Sequence, residues 1–130
     1  MNVLFAILIS FVILLAMDFA WINFLSKRFY LKSFKQFGRI EKGRWKIKIV
    51  PAILSWIFII LGITVFAQAY AFNPLSAFFS GALFGFITYG IYDLTNLATI
   101  KKWSIKLTII DLLWGTMLCG VVNLILFSLI

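Results

Sequence analysis

The 130-residue chain has no histidine, a single cysteine and only four acidic residues. Without histidine, zinc hydrolases, haem proteins and histidine-based proton relays are excluded in their usual forms. The lone Cys119 permits neither an internal disulfide nor a cysteine cluster, and we expect it to be a small packing residue. We therefore predict no metal site and no cofactor.

Charge of either sign is scarce, and apolar residues dominate. Hydrophobic residues make up 64% of the chain, charged residues 12%, and the mean hydropathy is +1.09. A soluble domain of this length could not bury so much apolar surface, so we predict an all-α integral membrane protein. The length leaves room for four helices of about 20 residues and one sizeable loop, in a single four-helix transmembrane domain covering residues 1–130.

Four apolar stretches predict the transmembrane helices: residues 3–25, 49–70 with a start at either Ile49 or Pro51, 75–100 and 105–130. Pro51 falls where a helix tolerates proline, in its first turn, and Asn73-Pro74 predicts the turn before the third span. The first stretch has neither a preceding positive segment nor a small-residue cleavage pattern. We expect it to be a retained span rather than a signal peptide.

All twelve lysines and arginines lie in two segments, 27–48 and 101–106. A net charge of +8 would suggest nucleic acid for a soluble protein, but here it is typical of positive loops that face the cytoplasm. We predict no nucleic-acid partner. The expected location is a bacterial inner membrane, with loops 26–49 and 101–106 cytoplasmic and both termini outside.

The first basic loop contains aromatic residues at near-helical spacing: Phe29, Tyr30, Phe34 and Phe37. This spacing predicts an interfacial amphipathic helix between spans one and two, with the aromatics in the acyl boundary and the lysines on anionic head groups. A solvated basic loop is the alternative. The expected partners are a bilayer with anionic lipids at Lys27–Lys48 and a homo-oligomer or larger membrane complex.

Three of the four acidic residues, Asp18, Asp93 and Asp111, interrupt apolar spans. A carboxylate at that depth costs on the order of 3 kcal/mol or more, so it usually has a partner, a proton or a function. Each aspartate lies six or seven residues from the cytoplasmic end of its span, which places all three roughly 10 Å inside that boundary. The common depth predicts that the three aspartates share one site. The alternative is that each aspartate is accommodated separately for structural reasons.

Further polar residues accompany these aspartates. Tyr89, Asp93 and Asn96 follow i, i+4, i+7 spacing on one helical face, with Thr95 beside them. Such a row can bind a cation, hold a proton, or only form hydrogen bonds between helices.

A D-x-x-W pattern occurs twice, as Asp18 with Trp21 and as Asp111 with Trp114. An indole N–H can donate to a neighbouring carboxylate, and its ring can bind a cation. The i, i+3 spacing places both side chains on one helical face, so the pattern supports a shared site.

Small residues and interfacial tryptophans complete the pattern. Small residues predict close helix packing at Ala77, Gly81, Gly85 and Gly115. Trp45, Trp56 and Trp103 are interpreted as residues of the interfacial aromatic belt. Gln68 and Asn123 can extend a polar path outward or form local hydrogen bonds, and we favour the latter.

The stretch from Gly81 to Trp103, with its YDLTNLAT run at 92–99, resembles a bacterial family of predicted four-span membrane proteins, domain of unknown function 2177. The DLLWGT run at 111–116, the early Asp18-x-x-Trp21 and the Phe29-Tyr30 pair are similar to the same family. Span two departs from it, with Ser55-Trp56-Ile57-Phe58 where an aromatic-rich Phe-Tyr stretch is expected, and the first loop is unusually basic. The resemblance implies four spans and no established activity.

Three functions remain open. The first is transport coupled to a proton or small cation, because clustered carboxylates in a low dielectric cannot all ionise and would titrate as a unit. The second is an accessory, assembly or lipid-binding role, in which the polar residues lock the helices together. The third is an intramembrane enzyme that uses one protonated and one ionised carboxyl group on a lipid. We rank them in that order and favour a protein without enzymatic activity.

Overall fold

The computed structural model describes all 130 residues, which form helices and one short hairpin joined by turns and loops. The helices are α1 (Val3–Ala20), α2 (Lys27–Phe34), α3 (Ile49–Gly62), α4 (Pro74–Thr99) and α5 (Ile105–Leu129). Between α2 and α3, strand β1 (Ile40–Glu41) pairs antiparallel with β2 (Arg44–Trp45). A π-helical turn, Trp21–Leu25, extends α1; a π-helical turn, Ile63–Ala67, and a 3₁₀ turn, Gln68–Tyr70, extend α3.

Four helical segments are long and apolar enough to cross a membrane. They are Val3–Leu25, Ile49–Tyr70, Pro74–Thr99 and Ile105–Leu129, and their most apolar stretches have mean hydropathies of 1.4 to 2.7. The predicted four-span architecture is therefore confirmed, and the predicted boundaries lie within two residues of the observed ones. Side-chain caps explain where the later spans begin. Asn73 and Ser76 form a capping box around Pro74, and the Ser104 hydroxyl accepts a hydrogen bond from the Leu107 amide.

Helix α5 is the most buried span and packs most closely against α4. Gly81 and Gly85 form the contact on α4, where an added Cβ would overlap the backbone carbonyl oxygens of Cys119 and Gly115 respectively. Ala77 is fully buried on the same stripe, and Gly115 lies under the ring of Tyr89. These small residues let the two backbones approach closely, which fixes the antiparallel register of α4 and α5.

The chain between α1 and α3 covers the loop between α4 and α5. The Phe34 and Phe37 rings lie 5.2 and 5.5 Å from the ring of Trp103. We call this end of the molecule the basic end, because all lysines and arginines lie in these two segments except Lys106, which lies in the adjoining first turn of α5. The amphipathic helix is present but ends at Phe34, and its aromatic side chains pack on protein rather than lying free in the acyl boundary.

The assignment of Trp103 to an exposed aromatic belt is wrong. Its side chain is only 6% exposed, and its indole N–H donates to the Thr108 hydroxyl over 3.1 Å. In the sequence, a tryptophan at the end of a span looks the same whether its side chain faces lipid or packs under a loop. The covering loop is what buries it here.

At the opposite end, Gln68 and Asn123 form a local network. The Gln68 amide donates to the Asn123 side-chain oxygen over 2.8 Å, and the Asn123 amide donates to the Ala77 carbonyl and the Ser80 hydroxyl. Asn123 is fully buried. The network joins α5 to α4 and to the end of the second span, so these amides form local hydrogen bonds, as favoured from the sequence.

The close approach of α4 and α5 makes a testable prediction. Gly85→Ala introduces a Cβ that overlaps the Gly115 carbonyl, so the helices must separate, and we expect a loss of about 1–3 kcal/mol of unfolding free energy. Gly90→Ala, on the same helix, meets only Leu112 Cδ1 at 3.5 Å, an ordinary contact, and is the matched control. Thermal unfolding in detergent measures both. Equal melting temperatures for the two variants would contradict the close contact.

Candidate functional site

Asp18 is held by two tryptophans from different helices. The Trp56 indole N–H on α3 donates to Oδ2 over 2.8 Å, and the Trp114 indole N–H on α5 donates to Oδ1 over 3.0 Å. Asp18 itself, on α1, is 7% exposed. Both carboxylate oxygens are thus satisfied by neutral donors, and one side chain links three spans.

In both D-x-x-W motifs, the tryptophan donates its hydrogen bond outside its own motif. Trp114, from the second motif, donates to Asp18 of the first. Trp21, from the first motif, donates to the Tyr30 hydroxyl over 3.0 Å, and that hydroxyl donates to Asp111 Oδ1 over 2.8 Å. The two indole rings stack in parallel, 4.4 Å apart with an interplanar angle of 4°. The stacked rings therefore connect the environments of Asp18 and Asp111.

Tyr30 is the contribution of α2 to this arrangement. It lies one turn into that helix and is only 3% exposed. Burial raises the pKa of the Tyr30 hydroxyl, and the nearby Asp111 carboxylate raises it further. The hydroxyl therefore keeps its proton at physiological pH and remains the donor to Asp111.

Asp93 has a different environment from Asp18. It is fully buried, and neither of its carboxyl oxygens has a hydrogen-bond partner among the donors of the chain. The group beside it is another acid, because the half-buried Asp111 carboxyl lies within hydrogen-bonding reach. Two carboxyl groups can bond to each other only when at least one holds a proton.

The polar row on α4 does not act as one hydrogen-bonded group. The Tyr89 ring packs over Gly115, and Asn96 lies beside Tyr92 rather than on Asp93. Thr95 is exposed, and its carbonyl accepts a hydrogen bond from the Thr99 hydroxyl. The structure thus brings Asp93 and Asp111 together, and connects Asp18, Trp21 and Trp114 to them through Tyr30.

Two residues of the arrangement were not among the predicted site residues. Trp56 was assigned to the aromatic belt, which is wrong, since its N–H is bound to Asp18. Its position at the depth of an intramembrane aspartate was the available signal. Tyr30 was predicted to face lipid, and nothing in its local sequence indicates a bond to a residue 81 positions away.

The chemistry open to these residues is that of carboxyl groups with neutral donors. No three acidic or thiol side chains converge in a way that could hold a metal ion. Asp18 accepts two N–H groups, an arrangement that stabilises an ionised carboxylate. The Asp93–Asp111 pair instead brings two carboxyl groups together, with no donor bonded to Asp93.

Substituting the two buried aspartates should give opposite results. Asp18→Asn replaces one acceptor oxygen by an amide that faces an indole N–H, so we expect a loss of about 1–3 kcal/mol of unfolding free energy. Asp93→Asn breaks no bond to a donor and removes one of two adjacent acids, so stability should be unchanged or higher. Melting temperatures in detergent at neutral pH measure both. A large loss for Asp93→Asn would mean that its carboxyl has a structural partner.

Comparison with known proteins gives one match. Residues 3–128 match the family described as "Predicted membrane protein (DUF2177)". No curated protein and no solved structure matches the chain significantly. The match extends across the four candidate spans to residue 128 and includes Asp18, Asp93, Asp111 and the basic loop. The chain is therefore an integral membrane protein that belongs to the DUF2177 family.

Proposed function

We propose that this protein is a membrane carrier that couples transport to a proton bound between Asp93 and Asp111, with a small monovalent cation as the competing ligand. The observation that carries the proposal is the environment of Asp93. It is fully buried, lacks any hydrogen-bond donor and lies beside a second carboxyl group. A buried acid without a partner is costly, and in membrane proteins such groups mark ion and proton pathways.

Comparison with the other buried polar side chains supports this choice. Asp18, Thr108 and Asn123 all form hydrogen bonds with other residues, so the fold satisfies polar groups where they only join helices. The Ser10 hydroxyl and the Trp45 indole N–H are the other unpartnered buried groups, and a single neutral group is far cheaper to bury than a carboxylate. A purely structural Asp93 would be expected to have a donor as well.

The surroundings of the Asp93–Asp111 pair favour proton exchange with the basic end of the molecule. Asp111 is half-buried and bonded to Tyr30 on α2, whereas Asp93 is fully enclosed. Toward the other end the two helices are closely packed. Tyr89 packs on Gly115, and Gly81 and Gly85 allow close contact between α4 and α5. A carrier with this arrangement needs helix movement or a second copy of the chain to open the other side. We accordingly propose a homo-oligomer, or a larger membrane complex, as the working unit.

The same proposal includes an orientation. All basic residues lie at the basic end, so this end is placed in the cytoplasm and both termini outside, in a bacterial inner membrane.

A second candidate is an accessory or assembly protein. The bonds that favour it are those of Asp18 to two tryptophans and the Gln68–Asn123 network, which use polar groups to join helices. In that case the Asp93–Asp111 pair binds a proton without moving it. Proton binding and proton flux therefore have to be measured separately.

Proton binding is tested by infrared spectroscopy of the purified protein. We expect a carbonyl stretching band of a protonated carboxylic acid at neutral pH, lost in Asp93→Asn and unchanged in Glu41→Gln, which alters the one acid outside the spans. Weakening of the band on addition of sodium or potassium chloride, but not choline chloride, would identify the competing cation. Absence of the band in wild type would contradict a shared proton.

Flux is tested in liposomes that contain a pH-sensitive dye and carry a valinomycin-set potential, with and without a sodium gradient. We expect wild type to move protons, Asp93→Asn to lose this activity, and Glu41→Gln to keep it. Equal flux in wild type and Asp93→Asn contradicts the assignment of the site. A carboxylic-acid band with no flux in any gradient rejects transport and leaves the accessory role.

A further inference from the structure

A groove at the basic end lies outside the acidic site. It has a volume of about 420 Å³ and lies between the end of the first span and the β1–β2 hairpin. Six residues line it: Phe19, Asn23, Phe24, Lys27, Arg44 and Trp45. We propose that this groove binds one anionic phospholipid, with the phosphodiester at Lys27 and Arg44 and an acyl chain against Phe19 and Phe24.

The lining of the groove changes from apolar to basic in the direction expected for a phospholipid. Phe19 and Phe24 belong to the first span, are 56% and 72% exposed, and contact each other edge to face at 6.0 Å. Lys27 follows at the start of α2, just beyond that span. The apolar wall therefore faces the hydrocarbon region and the cations face the head-group layer, which is the polarity of a phospholipid.

The hairpin provides the second cation at a defined place. Lys42 and Gly43 both have positive φ angles, 51° and 71°, as a two-residue type I′ turn requires. The turn pairs Glu41 with Arg44 and Ile40 with Trp45. Both side chains are exposed, so the Arg44 guanidinium is accessible to a phosphate, which it can bind with two parallel N–H groups.

The ligand chemistry is further indicated by polar groups in the lining. The groove contains no acidic residue. The Trp45 indole N–H is buried and has no hydrogen-bond partner in the chain, although the ring lines the groove. A phosphoryl or ester oxygen of a lipid would supply the missing acceptor after a small side-chain adjustment. Unpartnered buried donors of this kind are uncommon in folded proteins.

A general attraction of basic residues to anionic membranes would not select this groove. The chain offers a matched control, because Lys101 and Lys102 line a separate groove at the same end. Replacing both by glutamine removes the same charge as Lys27→Gln with Arg44→Gln. If the lipid binds in this groove, only the Lys27→Gln/Arg44→Gln variant loses it. If surface charge alone attracts the lipid, both double variants lose it equally.

The test is native mass spectrometry of the full chain released from micelles that contain equal amounts of phosphatidylglycerol and phosphatidylcholine. We expect wild type to retain one phosphatidylglycerol. The Lys27→Gln/Arg44→Gln variant should lose roughly tenfold or more in lipid affinity, and the Lys101→Gln/Lys102→Gln variant should match wild type. Trp45→Phe, which keeps an aromatic ring but removes the N–H, should weaken binding a few-fold.

Three results would overturn the proposal. Equal weakening by the two double variants would mean that the surface charge acts as a whole. Equal retention of phosphatidylcholine would mean that the phosphodiester charge is not recognised. Displacement of the lipid by inorganic phosphate at the same concentration would identify a soluble anion as the ligand. Because Lys27 and Arg44 are exposed, unchanged melting temperatures will show that loss of lipid is not loss of fold.

Discussion

The hydrogen bonds of Asp18 are the interaction on which the helix arrangement depends most. In a bilayer no water is available at this depth, so a carboxylate must find its donors within the protein. Asp18 finds them on α3 and α5, in Trp56 and Trp114, and this fixes the positions of three spans relative to one another. The stacking of Trp21 on Trp114 then extends the arrangement to Tyr30 and α2.

The close contact of α4 with α5 explains why two acids meet. Gly81 packs on Cys119 and Gly85 on Gly115, so each turn toward the basic end on α4 corresponds to one turn toward the start of α5. Continuing this register places Tyr89 opposite Asp111 and Asp93 one turn nearer the basic end. Because helical side chains tilt toward the N-terminus of their own helix, the carboxyl groups on these antiparallel helices lean toward each other across that turn. The small residues and the acid pair are consequences of one register, and a change in that register would separate the two carboxyl groups.

The sequence predicted the spans well because hydropathy and length determine a transmembrane helix without reference to its neighbours. The common depth of Asp18, Asp93 and Asp111 stays a prediction, which follows from helical rise alone. The sequence could not predict which donor each acid would have. Trp114 bonds to Asp18 rather than to Asp111, and Tyr30 bonds to Asp111, because these pairings depend on helix rotation and on the path of the loop. Trp56 and Trp103 were misassigned for the same reason.

The two proposed sites are joined by α2. Lys27, at the start of this eight-residue helix, lines the proposed lipid groove, and the Tyr30 hydroxyl, one turn later, donates a hydrogen bond to Asp111. A lipid that draws Lys27 toward the head-group layer acts on the same rigid turn that positions Tyr30. Protonation of Asp111 in turn weakens the bond that holds Tyr30 in place, because a hydrogen bond to a charged acceptor is stronger than one to a neutral acceptor. Since coupling between two binding sites is reciprocal, lipid occupancy and proton affinity should change together, with α2 as the connecting element.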